Sequence, residues 1–219
     1  LDFLEANSQQ ELSNFINVIT TNLTSFFREN HHFEYLIKNV LPEVRRKNGQ
    51  SKRMRIWSAG CSSGQEPYSI AMTLNKFGIS SDWDVKILAT DLDSEVLAKA
   101  KKAIYSSTDV DGLEESLIKN NFQRNDSKKE VRVKDKVSKY IHFKRLNLLE
   151  NWPMTGPFDF MFCRNVVIYF DKPTQKVLFN RYADLLSVGG YLFIGHSENL
   201  HGISDRFENL GNTIYRKIR

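Results

Sequence analysis

Cysteine is scarce, and long apolar runs are absent. Cys61 and Cys163 are the only cysteines in 219 residues, and each sits among apolar or small residues. Two such thiols exclude a disulfide scaffold and read as reduced, in a cytoplasmic protein. No group of Cys and His stands at the short spacing that zinc requires, so no metal is expected. His31 and His32 are adjacent, and sequence neighbours point different ways on a helix, which makes them poor joint ligands. No stretch approaches the about 20 apolar residues of a membrane span. The N-terminus shows no signal-peptide pattern. A basic stripe interleaved with base-stacking aromatics is also missing, so nucleic acid is not the expected partner.

What is present is ordinary for a soluble domain: 41% hydrophobic and 26% charged residues. The length suits one domain with a small appendage. The net charge of +5 suits nucleic acid, anionic lipid or an acidic protein surface, and on charge alone the acidic protein is at least as good a partner as nucleic acid.

Met54 to Leu74, M-R-I-W-S-A-G-C-S-S-G-Q-E-P-Y-S-I-A-M-T-L, organises the rest. An apolar run leads into a small-residue loop, Ser58 to Gly64, and then into helical spacing at Ile70, Ala71 and Leu74. Strand, loop and helix in that order open a nucleotide-binding α/β fold. Pro67 suits the first helical turn, where its missing N–H costs nothing. A dinucleotide fingerprint would need a third glycine, and a nucleoside triphosphate loop would need G-K-[ST]. Neither is there. Glu66 at the helix entrance would repel phosphate and attract a cationic ligand. S-adenosylmethionine, a nucleoside carrying a sulfonium and an α-amino group, fits; a plain glycine turn with a solvent-facing Glu66 is the blander reading.

Residues 1 to about 20 place Leu12, Phe15, Ile16 and Ile19 on one helical face. They read as the end of a small helical subdomain, and Arg45 to Arg53 reads as a basic linker; residues 1–48 are taken as the helical region plus linker and 49–219 as the main domain. Val85 to Thr90 is a second strand with Asp91 at its end, where an acid meets ribose hydroxyls in doubly wound folds. Asp91 could instead cap the next helix, but Asp93 or Ser94 can do that. About 106–140 departs from the α/β rhythm. Its alternating Val131-Arg132-Val133 suggests an inserted β-subdomain, solvated on one side. Ile141 to Arg145, Phe158 to Cys163 and Tyr191 to Gly195 supply further strands, with Gly189-Gly190 as a turn. Apolar runs either side of Gly211-Asn212 predict a closing antiparallel hairpin. The polar groups Gly60, Asp91, Asn147, Arg164-Asn165 and His196 to Asn199 then all fall at strand C-termini, the edge that holds the ligand in an open parallel sheet.

T-N-L-T-S-F-F-R-E with H-H-F, W-S-A-G-C-S-S-G-Q-E-P-Y-S-I-A, F-C-R-N-V-V-I-Y-F-D and G-H-S-E-N, in that order, resemble the CheR chemotaxis receptor glutamate methyltransferases from about Thr20 to the C-terminus. The resemblance implies a class I, Rossmann-like methyltransferase sheet with an inserted β-subdomain and a preceding helical domain. It implies S-adenosylmethionine as cofactor and chemoreceptor cytoplasmic domains as substrate. By the same resemblance Asn22, Thr24 and Arg28 reach over the cofactor. Glu66 holds its amino-acid end and Asp91 its ribose. Asn147 and Leu148 contact the adenine region, and Arg164 and Asn165 close the site near the methyl. Two departures stand out. Only the end of the helical domain is present, and no glycine lies between Asn120 and Val133, where relatives that grip a receptor's tail peptide tend to have them.

A glutamate with a pKa near roughly 4.3 is already an anion at neutral pH, so methyl transfer to it needs no strong base. It needs aiming. Arg45, Arg46, Arg164 and the Tyr169 hydroxyl are the candidates, with Arg46 and Tyr169 put forward as the catalytic pair. His196 shows no partner in the sequence and reads as structural. A monomer is expected. The same fold acting on another substrate, or binding the cofactor without catalysis, is the alternative.

Overall fold

The computed structural model describes residues 23–219. The helix expected over residues 1 to about 20 and the expected contact from Asn22 lie outside the described residues. Chain order runs α1 (His31–Tyr35), a π-turn (Leu36–Val40), α2 (Leu41–Lys47), β1 (Arg53–Ala59), α3 (Gln65–Phe77), β2 (Asp84–Asp91) and α4 (Ser94–Lys102). An excursion follows, with β3 (Ile104–Ser106), α5 (Glu115–Asn121), β4 (Phe122–Asn125), β5 (Glu130–Val133) and α6 (Asp135–Ser138). The chain then returns through β6 (Ile141–Arg145), β7 (Phe158–Cys163), α7 (Lys172–Leu185), β8 (Leu186–Ile194), β9 (Phe207–Asn209) and β10 (Ile214–Lys217).

Seven strands form one sheet in the order β6-β2-β1-β7-β8-β10-β9. The first five are parallel, and β10 pairs antiparallel with both β8 and β9. This is an α/β fold of the doubly wound kind. The chain reverses direction across the sheet between β1 and β7, so the crevice opens where the Gly60 loop meets the β7 loop. β7 is buried on both faces, which is why it reads as one apolar run. Phe160 and Phe162 face the layer made by α1, α2 and α3, while Met161 and Cys163 face α7.

The inserted stretch forms its own sheet, ordered β3-β5-β4 and wholly antiparallel. Val131 and Val133 point inward and Arg132 outward, as the alternation requires. Its inner face packs on Phe26, whose ring meets Tyr105 at 4.9 Å and Phe122 at 5.2 Å, edge-on.

Two expectations are corrected. The stretch from Arg45 is not all linker, because α2 continues to Lys47. Gly189-Gly190 is not a turn before the fifth strand. β8 runs through it, with a register shift against β7 between Phe158 and Phe160. A Cβ on Gly190 would lie 2.8 Å from the Ser187 carbonyl and 2.9 Å from that of Asp159. A glycine pair inside a strand can mark such an irregularity as readily as a turn.

Candidate active site

The loop after β1 is shaped by its glycines. Gly60 and Gly64 both have positive φ, 77° and 97°. A Cβ on Gly60 would lie 2.3 Å from Val166, and one on Gly64 2.9 Å from Ala100. The glycines therefore let two loops and a helix close on one another, a packing role that the sequence does not reveal. Asp91 sits at the end of the neighbouring strand. Its carboxylate accepts from Ser62 N at 2.8 Å and Asp93 N at 3.0 Å. Burial pushes its pKa up, and those two backbone N–H groups pull it back. Asp93, not Asp91, caps α4, accepting from Glu95 N and Val96 N.

Glu66 is not solvent-facing. It is 7% exposed. Ser58 Oγ donates to one oxygen at 2.7 Å and Arg164 Nε to the other at 2.7 Å. Arg164 is thus a buried tie and not an aiming group for a substrate carboxylate. Its Nη1 donates to the Arg28 carbonyl at 2.5 Å and lies 3.2 Å from His32 Nδ1.

Residues 23–30 cross the strand ends as a strap. Phe26 rests on the insert. Phe27 N donates to Ser69 Oγ of α3 at 2.9 Å. Glu29 Oε1 is 3.0 Å from His196 Nδ1. Arg28 is flanked by two residues at positive φ, Phe27 at 53° and Glu29 at 56°. Such backbone persists only when its surroundings hold it, and each of these contacts does so. Thr24 lies on the same strap, half-buried.

Beyond β7, Asn165 has φ 59°. Glu198 holds this turn. One of its carboxylate oxygens accepts from Val166, Val167 and Ile168 N, and the other from Asn165 and Gly195 N, at 2.6–3.3 Å. Burial pushes Glu198's pKa up, and the backbone donors pull against that shift. Tyr169 stands on the rim, 65% exposed. Asn147 and Leu148 follow β6 beside Asp91, whose carbonyl accepts from Leu146 N at 2.9 Å. Asn147 folds its own turn, accepting from Leu149 N and donating to Glu150, both at 3.0 Å. The Leu148 carbonyl accepts from Trp152 Nε1 and Arg181 Nη1.

The strand ends thus bring together Thr24, Arg28, Gly60, Glu66, Asp91, Asn147, Leu148, Arg164, Asn165 and Tyr169. They do not bring Arg46. It is exposed on α2, at the opposite edge of the sheet. The residues after it mark that edge: Lys47 donates to the Val188 carbonyl, and Asn48 to Asp159 and to the carbonyl of Arg53, where β1 begins. Helical spacing gave Arg46 a face but not an end of the sheet.

Three residues went unseen as a group. Glu198, His32 and Glu29 are made important by partners at least 30 residues away in most of their contacts, and no local pattern encodes that. His196 does have a partner, Glu29. The two adjacent histidines also converge, with ring centroids 4.1 Å apart. Glu29, His31 and His32 bring possible metal-ligand atoms within 4.8 Å of one another. Both nitrogens of His32 are already engaged, and the Arg164 guanidinium sits among them, 3.6 Å from Glu29. With both nitrogens engaged, His32 has no free lone pair to offer an ion.

Residues 22–216 match the family described as CheR methyltransferase, SAM binding domain. The chain belongs to the CheR methyltransferase family. A probable chemotaxis protein methyltransferase from Rhizobium etli is 46% identical over 202 residues, covering 90% of this chain and 75% of the relative. Chemotaxis protein methyltransferases from Salmonella typhimurium and Escherichia coli are each 43% identical, covering 98% of this chain and 74% of theirs. This CheR chain is an S-adenosylmethionine-dependent methyltransferase with a class I sheet. The donor set fits that cofactor. Each oxygen of Asp91 and of Glu66 accepts one hydrogen bond described above, and a carboxylate offers about four lone-pair sites, so both retain capacity for hydroxyls or an ammonium. Two acids flanking the loop disfavour a diphosphate. Among the described residues, no helix is long and apolar enough to cross a membrane.

Proposed function

We propose that this protein methylates glutamate side chains on the cytoplasmic domain of a chemoreceptor, forming glutamyl methyl esters. The carrying observation is the match to chemotaxis protein methyltransferases over 90–98% of the chain, which spans the strap, the glycine loop and the insert together.

The bound cofactor supplies an electrophilic methyl group on a sulfonium. Everything else falls to this chain's residues. Asp91 holds the sugar hydroxyls through its free lone pairs. Glu66, fixed by Ser58 and Arg164, receives the ammonium of the amino-acid end. Thr24 and Arg28 on the strap cover that end, and Asn147 and Leu148 flank the base. Asn165 lies beside the reacting methyl. The substrate carboxylate arrives ionised, so the protein contributes proximity and orientation and needs no base. Tyr169, exposed on the rim just past Asn165, aims one carboxylate oxygen with its hydroxyl. It does so without a full countercharge, which would blunt the nucleophile. The net positive charge speeds encounter with an acidic receptor helix.

The test is to incubate the protein with methyl-labelled S-adenosylmethionine and receptor cytoplasmic fragments, then treat with alkali. Label on the fragment that leaves as methanol supports a carboxyl ester. Alkali-stable label, or label only on RNA or metabolites, overturns the reading.

A further inference from the structure

His32 is fully buried and has no place in the proposed chemistry. Its surroundings fix its tautomer. In the neutral ring Nδ1 accepts from Arg164 Nη1 at 3.2 Å, since a guanidinium can only donate; the same nitrogen lies 3.5 Å from Glu29 Oε2, to which it could donate only if protonated. The proton therefore rides on Nε2, which donates to the Asn212 carbonyl at 3.0 Å and lies 3.1 Å from Thr213 Oγ1. Asn212 and Thr213 form the turn of the β9–β10 hairpin, both with positive φ, 50° and 59°. The ring is walled by Phe193 at 5.4 Å and Phe162 at 6.3 Å, both edge-on. It cannot turn over without losing both polar contacts. His32 is thus a rigid spacer with a hairpin at one end and Arg164 at the other.

What Arg164 does next matters. The same guanidinium fixes Glu66 through Nε and the strap through the Arg28 carbonyl. Without His32, Nη1 would keep the Arg28 carbonyl and Nε would keep Glu66, but the guanidinium would lose its tie to the hairpin and could shift, carrying Glu66 and the strap with it. We propose that His32 is a positioning residue for the cofactor: through Arg164 it presets Glu66 and the strap to receive the amino-acid end of S-adenosylmethionine. The proposal rests on the reading that Glu66 meets that end.

The two nitrogens can be removed separately. Asparagine places its Oδ1 as many bonds from the backbone as Nδ1, so His32→Asn keeps an acceptor for Arg164 and gives up the hairpin bond. Glutamine places its Nε2 where the imidazole has its own, so His32→Gln keeps the hairpin donor and gives up the Arg164 acceptor. S-adenosylhomocysteine, the product, serves as probe in calorimetry, with thermal unfolding of the ligand-free proteins beside it. A hydrogen bond to a charged group lost at this joint should weaken binding about tenfold or more in H32Q, while H32N stays within about threefold of wild type. The unfolding temperatures should rank the other way, H32N falling further than H32Q. Affinity that simply follows stability across the two variants makes His32 a core residue and overturns the proposal, as does wild-type affinity in H32Q. Glu66→Gln separates the two levels. Weak binding by E66Q with normal binding by H32Q removes only His32. Normal binding by E66Q removes the Glu66 reading, and the proposal with it.

Discussion

The crevice and the inserted sheet handle charge in opposite ways. At the crevice, Arg164, Glu66, His32 and Glu198 are all under a tenth exposed, and each is bonded to several elements. On the insert, Arg124, Lys128, Lys129 and Arg132 are exposed. The Arg124–Glu115 pair there is open to water on both sides, 49% and 72% exposed. Buried ion pairs contribute little net stability when made, but breaking one leaves an uncompensated charge. They therefore fix geometry. Exposed pairs hold almost nothing together. The crevice spends its charges on holding one arrangement, while the insert keeps its charges available to an incoming surface.

The sharpest way to break this contrast is at Glu198. Five backbone N–H groups from two loops converge on its two oxygens. Glu198→Gln is nearly isosteric, but whichever way the amide sits, its NH2 faces at least two of those donors. Leaving them unpaired should cost roughly 4 kcal/mol. For a chain of this size that is a fall of about 10 °C or more in unfolding temperature, read by calorimetry. The Asn165–Ile168 turn should lose protection from hydrogen exchange before the rest. A shift of only a degree or two would mean that water replaces the carboxylate freely, and that the turn is not clamped.

Acid should act on the same region. Burial, reinforced by the Arg164 charge, pushes His32 down to about 4 from an ordinary 6.5. The unfolded chain therefore binds that proton more readily than the folded one. The stability is whole above pH 6.5 and drains as pH falls toward 4, by roughly 3 kcal/mol if this group acts alone. Burial alone would raise Glu29, but the hydrogen bond from His196 and the charge of Arg164 outweigh it and leave its pKa below 4.5, so it adds to the loss at the acid end. Asp91 and Glu198, both raised, work against it there. Denaturant melts between pH 7 and pH 4.5 should show stability falling with pH. A flat profile would show that His32 takes up its proton without disturbing Arg164.

How much of this was legible beforehand differs by region for a physical reason. The sheet was readable because period-two and period-3.6 patterns are local. The strand ends of Gly60, Asp91 and Asn165 followed from counting elements and applying the crevice rule. Arg46 was misplaced because an exposed arginine on a helix carries no mark of which end of a sheet it serves. Glu66 was assigned by its charge alone, whereas Arg164, which buries it, stands 98 residues away. Glu198 looked like one polar residue in G-H-S-E-N. Its role depends on backbone N–H groups, which have no sequence signature. Local pattern locates a site, and long-range polar ties decide its internal geometry.

The insert gives the smallest effect and the cleanest complement. Lys128 and Lys129 lie in the β4–β5 connection and Arg132 points outward from β5. Among the described residues none of the three makes an ion pair, so reversing them to glutamate in one triple variant removes no internal partner. Lys129 already has φ 51°, which a glutamate must adopt on the same terms. The unfolding temperature and the affinity for S-adenosylhomocysteine should both stay at wild-type values. If these charges steer a glutamate-rich receptor helix, methylation of receptor fragments should slow several-fold at low ionic strength. The gap should close toward 0.5 M salt, where screening falls within about 5 Å. Equal rates at low salt would show that the insert's charges merely keep it solvated. A loss that persists in high salt would instead indicate a direct contact, with those three side chains bonded to the substrate at the moment of transfer.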